Sequence, residues 1–168
     1  EALVSDIEMS FQWLLDPDND PQTDDAPNVV NNSWGYDELL NQCHPIFQEN
    51  FDALRAAGIA IVFSAGNTGP GVSTSISPAN TPGAFSVGSV DDDPNSLISS
   101  FSARGPGACT PSEVFPIIVA PGRDVRTTDL TFGFNPQASA IVSGTSFAAP
   151  QVAGAFALLM GAFPEKPL

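Results

Sequence analysis

Apolar residues recur along the chain with two different periods, and the period predicts the type of each element. Over residues 5–15, and again from Pro45 to Gly58, apolar positions are spaced three and four apart, which is typical of amphipathic helices. Short runs rich in apolar and β-branched residues predict strands at 29–33, 59–64, 84–90 and 115–120. The alternation of strand and helix favours an α/β fold with a partial parallel sheet of about four strands.

The last third of the chain predicts a hairpin followed by a long helix. Residues 127–134 and 138–142 are typical of paired strands, and they lead into a helix that begins near Ser146. Because this helix is apolar on nearly every side, we expect it to be central and buried. Its apolar run, 152–163, is shorter than a bilayer requires, so no membrane-spanning segment is expected.

Two long loops follow predicted strands, and this is where we expect function. They cover residues 66–83 and 91–113, and each begins where a strand of the predicted sheet ends. Open α/β sheets bind their ligands at the carboxyl ends of the strands, because the loops that leave those ends meet there. Asn67 is therefore predicted to lie at the functional edge.

The charge of the chain limits the classes of partner. There are 19 aspartates and glutamates against 5 lysines and arginines, which gives a formal net charge of −14. Nucleic acids bind basic surfaces that displace their counterions, so no nucleic-acid partner is expected. Anionic membrane surfaces are disfavoured for the same electrostatic reason.

Two segments that contain glycine carry the candidate chemistry. GTSFAAP at 144–150 places Ser146 in a tight turn before the apolar helix, where unpaired N–H groups favour developing negative charge. AGNTGP at 65–70 places the Asn67 amide after a strand, among glycines that permit close backbone approach. These segments, in this order, resemble the nucleophile and oxyanion segments of the subtilisin-like serine peptidases.

The resemblance extends from about residue 3 to residue 164, nearly the whole chain. It implies a three-layer α/β/α fold, Ser146 as the nucleophile of peptide hydrolysis through an acyl-enzyme, and Asn67 as a donor of the oxyanion hole. The segment VVNNSWG at 29–35 is most similar to the bacillopeptidase F branch of the family.

The resemblance also implies a substrate cleft. The segment SWG at 33–35 matches the edge that pairs with an extended peptide, and its glycine is expected to line a side-chain pocket. Pro78 matches a proline that follows a cis bond near the pocket for the residue before the scissile bond. The substrate-binding residues implied by the resemblance are Ser33, Trp34, Gly35, Ala65, Gly66 and Thr145.

The other two members of the family's catalytic triad have no counterpart in these 168 residues. No Asp-Ser-Gly or His-Gly-Thr segment is present, and the one histidine, His44, lies in QCHP, where the family has a surface helix. We therefore expect residues 1–168 to be the C-terminal portion of one peptidase domain, inactive without the N-terminal portion that carries Asp and His. The strand at 29–33 would then be an open edge for that missing half or for self-association.

Other interpretations of the residues stay open at this point. One is a complete, non-catalytic module that binds extended peptides by strand addition at 33–35. Another is an esterase-like hydrolase whose base is not recognised. Cys43 and Cys109 either form one disulfide or remain two free thiols.

The acidic loop at 16–25 has a metal-binding alternative. Asp16, Asp18 and Asp20 are spaced like the start of a calcium loop, but prolines stand where an EF-hand needs glycine and glutamate. The EF-hand is thereby excluded, and a different structural calcium site is the alternative to no metal. We expect no catalytic metal or cofactor, a peptide or protein substrate, and a secreted or cell-surface location.

Overall fold

The structure, a computed structural model, describes residues 3–91, 97–129 and 138–165. Its helices are α1 (Val4–Trp13), α2 (Gln48–Ala56) and α3 (Thr145–Ala162), with short 3-10 turns at Asp37–Leu39 and Pro45–Phe47. Its strands are β1 (Val29–Asn32), β2 (Ala60–Ser64), β3 (Phe85–Val90), β4 (Ile118–Pro121), β5 (Val125–Thr128) and β6 (Ser139–Val142).

Four of these strands form the predicted parallel sheet. Their order is β1-β2-β3-β4, and each pairs in parallel with the next. All five residues of β2 are buried because the strand lies inside the sheet with both faces covered, which explains its continuous apolar sequence. Among the described residues, β1 and β4 are the edges of this sheet, and β5 pairs with β6 as a separate antiparallel ribbon.

Helices cover both faces of the sheet. On one face, α1 and α2 contribute to an aromatic cluster that includes Phe11, Phe47, Phe51 and Phe63, and Trp34 packs edge-on against Phe47 and Phe63. On the other face, α3 contacts all four strands through the small residues of its first turns. The result is the three-layer α/β/α arrangement that the sequence predicted.

The prediction that α3 is buried on all sides needs correction. Only its sheet-facing residues are buried, namely Thr145, Ala148, Ala149 and Val152. Leu158 and Leu159 are 77% and 57% exposed. The prediction failed because the hydropathy of a helix shows that it is apolar but does not show whether another element covers it. The full helix has 18 residues and a mean hydropathy of 1.3, long and apolar enough to cross a membrane by these criteria alone. Its packing against the sheet places it as a helix of this fold.

The starts of two strands differ from the prediction by more than one residue. β4 begins at Ile118 and not at 115, because Pro116 has no N–H for the ladder and the Phe115 carbonyl accepts from the Gly105 N–H at 3.0 Å. The ribbon uses β5 at Val125–Thr128, earlier than the predicted strand at 127–134. Residues 130–134 of that prediction lie outside the described residues.

Two covalent features of the loops resolve earlier alternatives. Cys43 and Cys109 form a disulfide that joins the loop after β1 to the loop after β3. The bond between Ser77 and Pro78 is cis, as the resemblance implied. Both features adjoin the segment 75–80, since the Cys109 sulfur lies 3.6 Å from Asn80 Oδ1.

Candidate active site

The candidate nucleophile lies at the start of α3. Ser146 is the second residue of the helix and is partly exposed. Its N–H is one of the first four of the helix, which have no intrahelical acceptor. Its hydroxyl makes no hydrogen bond to a described residue. Negative charge forming beside Ser146 would meet a free N–H and the positive end of the helix dipole.

Asn67 reaches the same place from the loop after β2. Its Oδ1 accepts two hydrogen bonds from Thr145, one from the backbone N–H at 2.9 Å and one from the hydroxyl at 3.0 Å. The Nδ2 group bonds to no described residue and is the part of the amide left to donate. Asn67 is exposed, so a ligand can reach this group. Asn67 is thus in direct contact with the residue that precedes Ser146.

The turn that carries Asn67 is held by its neighbours. The Ala65 N–H donates to the Val87 carbonyl at 2.9 Å, and the Gly66 N–H donates to the Thr145 hydroxyl at 3.3 Å. Gly66 has a φ of +109°, which residues with a side chain rarely adopt. Ala65 and Thr145 are two of the predicted substrate-binding residues. Their side chains are buried, so they support the site and are not exposed to a ligand.

Ser33 joins the end of β1 to the nucleophile turn. Its hydroxyl donates to the Ser146 carbonyl oxygen at 3.2 Å and accepts from the Asn31 side-chain amide at 3.1 Å. In a regular helix the Ser146 carbonyl would accept from the N–H of residue 150, but Pro150 has none. The missing donor was visible in the sequence, whereas the residue that replaces it was not.

Trp34 and Gly35 follow Ser33 in the candidate substrate cleft and differ in how their side-chain positions are packed. The indole of Trp34 packs into the aromatic cluster, and its Nε1–H donates to Asn32 Oδ1 at 3.2 Å. The Trp34 side chain is partly buried against this cluster, so its backbone is the part most open to an extended peptide, and its predicted role in substrate binding stays a prediction. At Gly35 an added Cβ would lie 2.6 Å from Ile76 Cδ1 and 3.2 Å from the Ser77 carbonyl oxygen, so a side chain there would require the end of Ile76 to move.

His44 lies apart from these contacts. It precedes the 3-10 turn at Pro45–Phe47, is exposed, and donates its backbone N–H to the Ser77 hydroxyl at 3.2 Å. Its imidazole makes no hydrogen bond or ion pair with a described residue. The structure therefore gives its ring no partner of the kind a catalytic base requires.

The acidic loop gathers a different trio from the one predicted. Carboxylate oxygens of Asp16, Asp18 and Asp25 lie within 4.8 Å of one another. Asp20 turns away and accepts from the Gln22 N–H at 3.1 Å, since a carboxylate two residues upstream readily closes such a turn. Exposed acidic groups often gather without an ion, and no metal is assigned to this cluster.

Two groups near the strand ends have shifted pKa values. The Ser99 hydroxyl and then the Arg123 guanidinium, both bonded to Asp91, lower the pKa of that carboxyl. Burial, with a smaller effect from Glu38, raises the pKa of Tyr36. The Tyr36 hydroxyl is buried and has no hydrogen-bond partner among the described residues.

Comparison with known proteins decides the family. The model described as "Subtilase family" matches residues 3–167. The chain belongs to the subtilase family. Bacillopeptidase F from Bacillus subtilis (strain 168) is 36% identical over 162 residues, or 92% of the chain. Subtilisin-like protease SBT6.1 from Arabidopsis thaliana is 33% identical over 168 residues, or 97% of the chain. The resemblance stated from the motifs is confirmed.

Solved structures confirm the subtilase fold. Sphericase superimposes on 99% of this chain with a TM-score of 0.77 at 22% identity, and the match covers 52% of Sphericase. S41 Psychrophilic Protease superimposes on 82% of the chain with a TM-score of 0.66 at 26% identity. The chain spans only 10% of the length of bacillopeptidase F and 15% of that of SBT6.1.

Proposed function

We propose that this chain supplies the nucleophile and the oxyanion hole of a subtilase that cleaves peptide bonds within proteins. The observation that carries the proposal is the double hydrogen bond from Thr145 to Asn67 Oδ1. It holds the Asn67 amide against the residue before Ser146 and leaves Nδ2 as the part of the amide that can donate to a ligand. Together with the Ser146 N–H, which has no acceptor within the helix, this group would stabilise a tetrahedral oxyanion formed beside the Ser146 hydroxyl.

The reaction follows from these groups. Ser146 Oγ attacks the carbonyl carbon of the scissile bond while a base takes its proton, and the carbonyl electron pair moves onto oxygen between the two donors. Collapse of this intermediate breaks the C–N bond, and the departing amine takes up the proton. Water then hydrolyses the acyl-enzyme by the same steps. No metal or cofactor is needed.

The base is proposed to come from outside these residues. The sequence lacks the family's aspartate and histidine segments, and the His44 ring has no partner among the described residues. A histidine and an aspartate in an N-terminal portion of the same domain would complete the triad. We therefore propose that the chain alone is inactive, because a neutral serine hydroxyl is a weak nucleophile.

The open edge of β1 is the proposed meeting place with that portion. Among the described residues, β1 pairs only with β2, so one row of its backbone N–H and C=O groups faces outward. Such an edge pairs with a strand of complementary chain, or with a second copy when none is present. Substrate would bind where β1 ends, along Ser33, Trp34 and Gly35.

A secreted or cell-surface location is proposed for the protein. The disulfide between Cys43 and Cys109 supports it, because disulfides form and persist mainly in oxidising compartments. The strong negative charge disfavours nucleic acids and anionic membranes as partners.

A fluorophosphonate probe tests the proposal. We expect no labelling of the chain alone, and labelling of Ser146 when the chain is produced with the polypeptide encoded before it. Ser146→Ala should abolish that labelling. Labelling of the chain alone would show that it holds its own base. If the longer polypeptide is not labelled but still binds extended peptides, the non-catalytic peptide-binding alternative is correct.

A further inference from the structure

Two glycines at the candidate site face the same side chain. A Cβ built on Gly35 would lie 2.6 Å from Ile76 Cδ1, and one built on Gly66 would lie 2.8 Å from the same atom. Gly35 follows β1 and Gly66 follows β2, so the end of the Ile76 side chain fills the gap between the ends of two neighbouring strands. Ile76 is only 3% exposed.

This gap is where the side chain before a scissile bond has to go. The family resemblance places Pro78 near the pocket for the residue before the scissile bond, and we expect the Cα of that residue to lie beside Gly66, next to the proposed oxyanion donor Asn67. A peptide extended along residues 33–35 brings Gly35 to the other side of the same Cα. The side chain on that Cα therefore points into the space between the two glycines.

The backbone on both sides of Ile76 is held in place by hydrogen bonds. The Tyr36 N–H donates to the Ser77 carbonyl at 2.9 Å, and these residues form an antiparallel bridge. The Ile76 carbonyl accepts from the Asn80 N–H at 3.1 Å, and the Asn80 side chain bonds to the Ser77 hydroxyl at 2.8 Å. These bonds fix the Ile76 backbone, so its side chain can leave the gap only by a change of rotamer against the atoms that bury it.

We propose that Ile76 closes the pocket for the residue before the scissile bond, so that substrates carry a small residue, glycine or alanine, at this position. The inference rests on the proposed peptidase function. Leucine or phenylalanine would have to displace an anchored, buried isoleucine, and overfilling a packed site is costly. Glycine and alanine place no more than a methyl group between Gly35 and Gly66.

The test uses the full-length protein and peptides that differ only at this residue, carrying glycine, alanine, leucine or phenylalanine. For the natural protein we expect kcat/KM on the alanine peptide to exceed that on the phenylalanine peptide by at least about tenfold. Ile76→Gly should reverse this preference, and Ile76→Val should move it only slightly. Ile117→Ala, which changes an exposed residue at the other end of the sheet, is the matched control.

The outcomes separate this inference from the function on which it rests. Cleavage of the phenylalanine peptide as fast as the alanine peptide by the natural protein would overturn the role of Ile76, even if Ile76→Gly failed to fold. An Ile76→Gly protein that folds and keeps the natural preference would overturn it too. Failure to cleave any of the peptides, together with absent fluorophosphonate labelling, would instead reject the peptidase function.

Discussion

The Ser33 hydroxyl donates a hydrogen bond to the Ser146 carbonyl oxygen, across 113 positions of sequence and a distance of 3.2 Å. It replaces the donor that Pro150 removes from the first turn of α3. The end of β1 is thereby coupled to the backbone of Ser146, the proposed nucleophile. Ser33 is a positioning residue in this arrangement, because it acts through Ser146.

Replacing Ser33 by alanine leaves the Ser146 carbonyl without its donor and should loosen the nucleophile turn. In the full-length protein we expect kcat to fall by about 2- to 10-fold, the range of one ordinary hydrogen bond, with KM nearly unchanged. Steady-state kinetics on one peptide gives this split. Ser33→Thr keeps a hydroxyl and should restore most of kcat. A rise in KM alone would show that Ser33 only binds substrate.

Replacing Thr145 by valine should disturb the orientation of the Asn67 amide. The variant keeps the backbone bond to Oδ1 but loses the hydroxyl that donates to Oδ1 and accepts from the Gly66 N–H. We expect kcat to fall by about tenfold, with Thr145→Ser close to the natural value.

A double-mutant cycle with Asn67→Ala decides whether Thr145 acts through Asn67. If it does, Thr145→Val should cost little once the Asn67 amide is absent, because residues that act as one unit are not additive. Additive losses of kcat would contradict this coupling.

Breaking the disulfide should weaken the fold. Cys43 and Cys109 are 66 positions apart, so their bond restricts a long segment of the unfolded chain. We expect the double variant Cys43→Ser and Cys109→Ser to lose about 2–4 kcal/mol of unfolding free energy in urea titrations. Adding a reductant should destabilise the natural protein similarly and leave the double variant unaffected. Equal stability of the two proteins without reductant would be the contrary result.

Stability should depend on the ionisation of Asp91. Hydrogen bonds from Ser99 and Arg123 lower its pKa in the folded state, so the ionised carboxylate contributes stability above the ordinary range of aspartate pKa values. This contribution is lost as the pH falls through the lowered folded-state pKa. Asp91→Asn should therefore be less stable than the natural protein at pH 7, and the difference should shrink in acid.

Thermal melts from neutral pH to about pH 2 measure how this stability difference changes with pH. The range has to extend that far because the pKa of Asp91 is lowered from the ordinary aspartate value. Glu113→Gln is the matched control, because the Glu113 carboxylate is exposed and bonds to no described residue. A difference for Asp91→Asn that stays constant with pH would show that the contribution is not electrostatic.

The sequence predicted those features that depend on local pattern. β2 was predictable because a strand covered on both faces is apolar throughout. The start of β4 was missed because an apolar run does not report where Pro116 interrupts the ladder. The exposure of Leu158 was missed because hydropathy does not identify neighbours.

The same division applies to the site. Ser146 and Asn67 were recognisable from short motifs. The contact of Ile76 with both Gly35 and Gly66 was not, because it depends on how closely three separate loops approach. The bond from Ser33 to Ser146 was half predictable: Pro150 showed that a donor was missing, but only the fold brings β1 to supply it.

The disulfide also divides the site topologically. Asn67 and Ile76 lie inside the covalent ring closed by Cys43 and Cys109, whereas Ser146 lies outside it. A protease nick within that ring, for instance at Val72, which is 78% exposed, would leave both pieces tethered through sulfur. Such a clipped molecule would migrate as one species in a denaturing gel until its cystine was reduced, and unreduced gels would therefore hide cleavage within this loop.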